Sequence, residues 1–290
     1  MRQLRTFLAV VEHRTVTDAA TALDLAPSSV SQQIRVLEAD LGVALFVRRH
    51  GGMDLTEAGE RLSSRAPRLL DEVERARREV AGLPRTLRFG AMETMIATRL
   101  PSLLRRLGET RPDLDVRVDR ADNHTDLMER VRGGELDAGL TLDSRVAALP
   151  PELAYVDLEP VVPTLAVRGD HPLAGRGPVT RAELRGHRMI LGPKACSFHV
   201  LTERYLAPHD DLARVSSVFV ARSWAAQGIG AVLLPDFTLA AELDAGTLVR
   251  VPLAEELQEC WMRLVWRADR ETEPDLRDLL YSASIPEIIR

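Results

Sequence analysis

The sequence predicts an α+β protein of several domains: a small, mainly helical front carrying a β-hairpin, a long linker helix, and an α/β body in two lobes. Three observations carry this reading. The chain is 290 residues long, which at roughly 100–200 residues per domain makes two or three units. Residues 1–85 read as short amphipathic helices. From Thr86 onward strands and helices alternate, the texture of βαβ units and largely parallel sheet.

Composition excludes several classes. Hydrophobic residues make 45% and charged residues 28%, a soluble globular mix rather than a disordered or collagenous one. No run approaches the ~18 consecutive apolar residues of a membrane span, and no apolar h-region opens the chain. The two cysteines, Cys196 and Cys260, form neither a disulfide framework nor zinc-ligand spacing. A cytoplasmic protein with no membrane partner, no metal and no cofactor is expected. Residues 1–85 hold 13 arginines against 12 carboxylates, a net of +1, while the remainder holds 25 basic and 31 acidic groups, a net of −6. A neutral front on an acidic body suggests two tasks. It is not the strongly basic domain that announces nucleic acid by charge alone.

Leu4, Phe7, Leu8 and Val11 recur at helical spacing. Thr15 or Thr17 can cap a second helix with Ala19, Ala20 and Leu23 inward. Pro27 suits the first position of a third helix, along which Val30, Ile34, Leu37 and Leu41 form one apolar stripe and Gly42 makes the stop. The other side presents Ser28, Ser29, Gln32 and Arg35. Two helices joined by a short turn, the second polar on its outer face, form a helix-turn-helix. Such a helix fits the DNA major groove, where Gln pairs with adenine, Arg with guanine, and Ser with bases or phosphate. The same polar face also suits packing on a protein. Leu45–Thr56 reads as strand, Gly-rich tip and strand, a wing whose Arg48 and Arg49 are placed to meet phosphates.

Ala58, Leu62, Ala66, Leu69, Val73, Ala76 and Val80 alternate spacings of 4 and 3. That heptad seam predicts a helix over residues 58–83 that either pairs with a second copy through Leu62, Ala66, Leu69, Val73, Ala76 and Val80 or lies as a single amphipathic helix on its own domain. Pro67 should kink it. In the body, strands are expected at Thr86–Gly90, Asp115–Asp119, Leu136–Leu142, Leu153–Val156, Val161–Val167, Met189–Leu191, Ala231–Leu234, Leu248–Val251 and Trp261–Trp266. Helices are expected at Leu100–Thr110, Thr125–Gly133, Arg181–Leu184, Phe198–Leu206, Arg222–Gln227, Phe237–Asp244 and Pro274–Ile288.

At Thr17–Glu60 the sequence resembles the LysR-type transcriptional regulators. The matching residues are Thr17-Asp18-Ala19-Ala20, Leu23, the run from Pro27 through Gln32-Gln33-Ile34-Arg35 to Glu38, Leu41-Gly42-Val43-Ala44-Leu45-Phe46, Arg48, and Leu55-Thr56-Glu57-Ala58-Gly59. The likeness continues through Gly134-Glu135-Leu136-Asp137-Ala138-Gly139, His171-Pro172-Leu173 and Ala226–Pro235. It implies a winged helix-turn-helix over 1–57, a dimerisation helix over 58–83, and a two-lobed effector domain like the periplasmic binding proteins. Lobe 1 is placed at 86–162 plus 267–290 and lobe 2 at 163–266, with chain crossings near Val162–Thr164 and Val265–Arg267. It also implies dimers or tetramers on promoter DNA, contact with RNA polymerase, and a small-molecule effector. Thr17, Pro27, Ser28, Ser29, Ser31, Gln32, Arg35, Arg48 and Arg49 are the expected DNA contacts. Pro67 departs from the family pattern, and the stretch between Ser197 and Ser216 is a few residues short of it.

In two-lobed binding domains the ligand sits in the cleft at C-terminal strand ends and helix N-termini. By resemblance Glu93, Thr94, Met95, Cys196, Ser197, Phe198, Val220 and Arg222 should line it, together with Leu142–Ser144. Thr94 and Ser197 also suit N-caps. Glu93 facing inward favours an amine or zwitterion; facing outward it says nothing. Cys196 is either an oxidant-sensitive thiol at a helix start or a small apolar filler. Arg222 either pairs an anion or lies on an exposed helix face. The Met92-Glu93-Thr94 start is similar to regulators of the glutamate-synthase type. Enzyme signals are absent from the sequence: no phosphate loop, no G-x-S-x-G elbow and no i, i+4 histidine pair. The expectation is an effector-modulated LysR-type DNA-binding regulator. The alternative is a small-molecule-binding or enzymatic α/β protein with a protein-interaction front domain.

Overall fold

The computed structural model describes residues 1–49, 52–144, 148–194, 197–257 and 259–284. They fall into two compact units, Met1–Arg85 with Gly133–Glu135, and Thr86–Arg132 with the residues from Leu136 onward.

In the first unit α1 (Arg2–His13), α2 (Val16–Ala22) and α3 (Pro27–Leu41) bury Phe7, Val10, Ala20, Val30, Ile34 and Leu37 in one core. Thr15, not Thr17, caps α2: its hydroxyl accepts from the Asp18 N–H at 3.0 Å. Strands β1 (Phe46–Arg49) and β2 (Gly52–Leu55) pair antiparallel, with Phe46 opposite Leu55. The tip residues His50 and Gly51 lie outside the described residues. Thr56 then fixes the exit. Its N–H donates to the Leu45 carbonyl at 2.9 Å and its hydroxyl to the Ala44 carbonyl at 2.7 Å. The same hydroxyl accepts from the Gly59 N–H at 3.0 Å and caps α4 (Glu57–Ser63). A Cβ on Gly59 would stand 2.2 Å from the Leu45 carbonyl oxygen. The helix lies this close to the strand only because residue 59 is glycine.

The single kinked linker helix expected over 58–83 is not formed. α4 ends at Ser63, and α5 spans Ala66–Val80. Pro67 is the second residue of α5, where a backbone N–H has no intrahelical acceptor in any case. The proline therefore starts a new helix rather than bending an existing one.

The second unit holds two five-stranded sheets. The first lobe contains β3 (Thr86–Ala91), β4 (Asp115–Arg120), β5 (Ala138–Ser144), β6 (Leu153–Val161) and β12 (Cys260–Arg267), in the order β4-β3-β5-β12-β6. α6 (Glu93–Thr98), α7 (Leu100–Thr110), α8 (His124–Gly133) and α13 (Pro274–Ser284) belong to it. The second lobe contains β7 (Pro163–Arg168), β8 (Met189–Leu191), β9 (Leu212–Arg214), β10 (Ala231–Pro235) and β11 (Leu248–Val251), in the order β11-β7-β10-β8-β9. Its helices are α9 (Arg181–Leu184), α10 (Ser197–Leu206), α11 (Val218–Ala226) and α12 (Asp236–Asp244).

Val162 alone separates β6 from β7 at the first crossing. The second crossing is not at Val265–Arg267. β12 pairs antiparallel with β5 from Cys260 through Trp266, and with β6 on its other edge. Met262, Leu264 and Trp266 fill the first lobe's core, so the crossing precedes Cys260. Lobe 1 thus takes all of 260–284. Leu253 still bridges Val179 in the second lobe, which confines the crossing to residues 254–259. β6 continues past Val156 to Val161 through Pro160, and a proline is tolerated there because β6 is an edge strand. α6 and β9 have no counterpart among the expected elements. The expected last helix is described to Ser284.

Gly90 on β3 pairs with Gly139 on β5. A Cβ on either would stand 2.7–2.8 Å from a methyl of Leu127, which α8 presses into the groove they leave. Just before β5, Asp137 is 1% exposed. It accepts from the Arg88 N–H at 2.7 Å and the Arg88 guanidinium at 2.8 Å. It also accepts from Arg270, itself 7% exposed.

In the loop after β7, the His171 ring stands 5.1 Å from that of His187. Burial, then the neighbouring His187, hold the His171 imidazole below its usual 6.5. The unfolded chain therefore binds this proton more readily than the folded one. Stability from this site is present above pH 6.5 and is lost as pH falls through 6.5 toward the depressed folded value. Urea midpoints between pH 5 and 7.5 should fall on acidification, and His171→Gln should flatten that slope. An unchanged slope in the variant would remove His171 as its source.

Candidate DNA-binding face and effector cleft

α3 carries Pro27 in its first turn. Val30 and Ile34 turn inward at 0% and 4% exposure, which leaves Pro27, Ser28, Ser29, Gln32 and Arg35 on the exposed side and Ser31 half-buried. The Arg35 guanidinium donates to the Gln32 side-chain carbonyl at 2.8 Å, so the two polar heads form one surface. Thr17 is exposed on α2. Arg49 is exposed on the wing, 3.1 Å from Asp54. An exposed pair of that kind is worth about 0–1 kcal/mol, so phosphate can replace Asp54 at little cost. Arg48 pairs through its backbone with Met53, and its side chain lies outside the described set. Glu38 has a task that sequence reasoning missed. Its carboxylate accepts from the Leu45 N–H at 2.7 Å and the Phe46 N–H at 3.3 Å, locking the wing to the recognition helix. Its position two turns before a strand was the available signal.

α5 resolves the seam into two parts. Leu62 and Ala66 pack into the first unit's own core, so they are not free to meet a partner as expected. Leu69, Val73 and Val80 are 50%, 36% and 90% exposed, and Ala76 is exposed beside them.

The cleft lies at strand ends of both lobes. Thr94 on α6 and Leu142 on β5 face Leu191, Gly192, Phe198, His199, Thr202, Val218 and Leu233–Pro235. It is narrow, with a free volume of about 20 Å³, room for about one water. Two of its polar side chains are turned to the protein. His199 Nδ1 lies 2.9 Å from the Gly192 carbonyl, and the Thr202 hydroxyl donates to the Phe198 carbonyl at 2.9 Å. Among the described residues no charged arginine, lysine or carboxylate lines it.

Of the expected effector residues, Thr94 and Phe198 meet in the cleft. Met95 does not: at 1% exposure it belongs to the first lobe's core. Glu93 is exposed at the start of α6. α11 begins at Val218, capped by Ser217, which brings Val218 rather than Val220 to the cleft. Arg222 is committed elsewhere. It pairs with Glu242 at 2.9 Å and donates to the Thr238 carbonyl at 3.1 Å, tying α11 to α12. Cys196 lies outside the described residues, as does the side chain of Ser197. Leu142 lines the cleft as expected; His199, Thr202 and Val218 were missed, for no motif marks them.

No group of three or more metal-ligating side chains occurs among the described residues. No helix among them is long and apolar enough to cross a membrane.

Comparison with known proteins matches both units. A family model described as the bacterial regulatory helix-turn-helix protein, lysR family, matches residues 1–60. One described as the LysR substrate binding domain matches residues 81–282. A probable hydrogen peroxide-inducible genes activator of Mycobacterium avium is 30% identical, over 95% of this chain and 90% of its own. The Hca operon transcriptional activator HcaR of Escherichia coli K12 is 29% identical, over 97% and 95%. Full-length OxyR from Pseudomonas aeruginosa superposes with a TM-score of 0.70 at 21% identity, covering 98% of this chain and 94% of that one. These relatives lend no support to the closer likeness to glutamate-synthase-type regulators. A polar-faced helix beside a wing, and a cleft between two α/β lobes, thus coincide with the two matched models, and the chain belongs to the LysR family of DNA-binding transcriptional regulators.

Proposed function

We propose that this regulator reads its operator through α3 and holds it through the wing, as a dimer or tetramer built first on α5, and that a small neutral molecule in the cleft sets its activity. The observation that carries the reading is the exposed row Ser28, Ser29, Gln32 and Arg35 opposite the buried Val30 and Ile34. Ser28, Ser29, Gln32 and Arg35 meet bases, while Thr17, Ser31, Arg48 and Arg49 meet phosphates. The cleft's apolar walls support an uncharged effector, since an anion there finds no cationic side chain among the described residues. An effector that prefers one lobe arrangement shifts the population toward it and so alters the bound DNA. RNA polymerase is the partner such a change would recruit or obstruct. The protein works in the cytoplasm, without cofactor and without catalysing a reaction.

The test begins with selection of tight binders from a random duplex pool, followed by fluorescence anisotropy across a salt titration. Specific affinity should fall steeply with salt. Arg35→Ala should cost about 1–3 kcal/mol on the selected site and relax its sequence preference. Equal losses on selected and random DNA would remove Arg35 from base reading. Absence of duplex binding at low salt would overturn the assignment of α3.

A further inference from the structure

A second cavity, of about 260 Å³, lies wholly within the first lobe between α7, the edge strand β6 and the end of α13. It shares no lining residue with the cleft. It has room for many water-sized groups, where the cleft admits about one.

Its floor is aliphatic. Leu103 and Met262 are 4% exposed and Leu140 is 2% exposed, all three core residues of the lobe. One wall is cationic, with Arg99 at the junction of α6 and α7 and Arg106 on α7. Opposite stands Glu159 of β6, its side chain 42% exposed, 2.9 Å from the Arg99 guanidinium. Arg106 donates to the Ser282 carbonyl at 2.9 Å. A cavity with an apolar floor and a carboxylate already paired with an arginine describes the ligand it would accept.

We propose that this cavity is a second ligand site that takes an amphiphilic monocarboxylate. The tail covers Leu103, Leu140 and Met262, and the carboxylate takes the place of Glu159 on Arg99. The exchange is even in charge. Glu159 moves into water, where an exposed pair forfeits little, and the guanidinium fork matches a carboxylate in two bonds. The buried tail then supplies the net gain. The site has a route to the second lobe, because the Arg99 guanidinium also lies 4.5 Å above the Phe237 ring on α12. A ligand that draws on Arg99 acts on a contact between the lobes.

The test is calorimetric titration of the full chain with octanoate, with 1-octanol as the uncharged control. Octanoate should bind saturably. Its affinity should fall at least tenfold in Arg99→Gln and rise three- to tenfold in Glu159→Gln, while octanol responds to neither. Glu159 is exposed enough that its variant should fold even if Arg99→Gln does not. The proposal is overturned if octanoate shows no saturable binding to the wild type or to Glu159→Gln. It is also overturned if affinity ignores Glu159→Gln, or if Val218→Trp in the cleft abolishes binding.

Discussion

Asp137→Ala is expected to cost the effector domain about 3–5 kcal/mol, the loss typical of breaking a buried ion pair from one side. Asp137 is 1% exposed and receives Arg270, itself 7% exposed, together with the backbone and side chain of Arg88. Removing the carboxylate leaves Arg270 with only Glu273 of these two acids to balance it and orphans the Arg88 N–H. Set against a domain stability of about 5–15 kcal/mol, that is a large share. Asp137→Asn retains an acceptor and should lose less. Urea unfolding followed by tryptophan fluorescence reports the change, since Trp261 and Trp266 lie on β12. A loss below about 1 kcal/mol would show that water replaces the carboxylate and that the network is dispensable.

Val73→Glu is expected to raise the dimer dissociation constant at least a hundredfold. Leu69, Val73 and Val80 stand 50%, 36% and 90% exposed on one stripe of α5. Burying each such side chain is worth about 1.5–3 kcal/mol, and a symmetric interface counts every substitution twice. A glutamate on both copies adds like-charge repulsion. Sedimentation velocity should show the variant as a monomer at concentrations where the wild type is dimeric, with operator affinity falling alongside. A monomeric wild type would rule out the α5 seam as the contact.

Where the sequence carried a periodic signal, the fold was legible. The stripe Val30, Ile34, Leu37 placed α3 and its exposed face, and alternation placed most strands of the body. What escaped depended on partners far along the chain. Trp261–Trp266 is an apolar run broken only by Arg263, and nothing in it says which sheet it joins; its pairing with β5 and β6 does. Arg222 looked free because Glu242, which holds it, is on the following helix. Pro67 could bend a helix or begin one, and the choice rests on where α4 stops. The cleft was legible only in outline. Resemblance gave its rim, Leu142 included, but Leu191 and Val218 are apolar residues in apolar company, and residue type does not tell a core wall from a ligand wall.

The narrowness of the cleft bears on how any effector titration will read. If binding requires an open form populated at about 1%, the observed affinity is about a hundredfold weaker than that of the open form itself. Loosening the closed form would then tighten apparent binding without touching the ligand. Val162, the lone residue between β6 and β7, is where such a change can be made. A Val162→Gly protein should bind the same effector more tightly, and wild-type association should plateau at high ligand, paced by opening rather than by encounter.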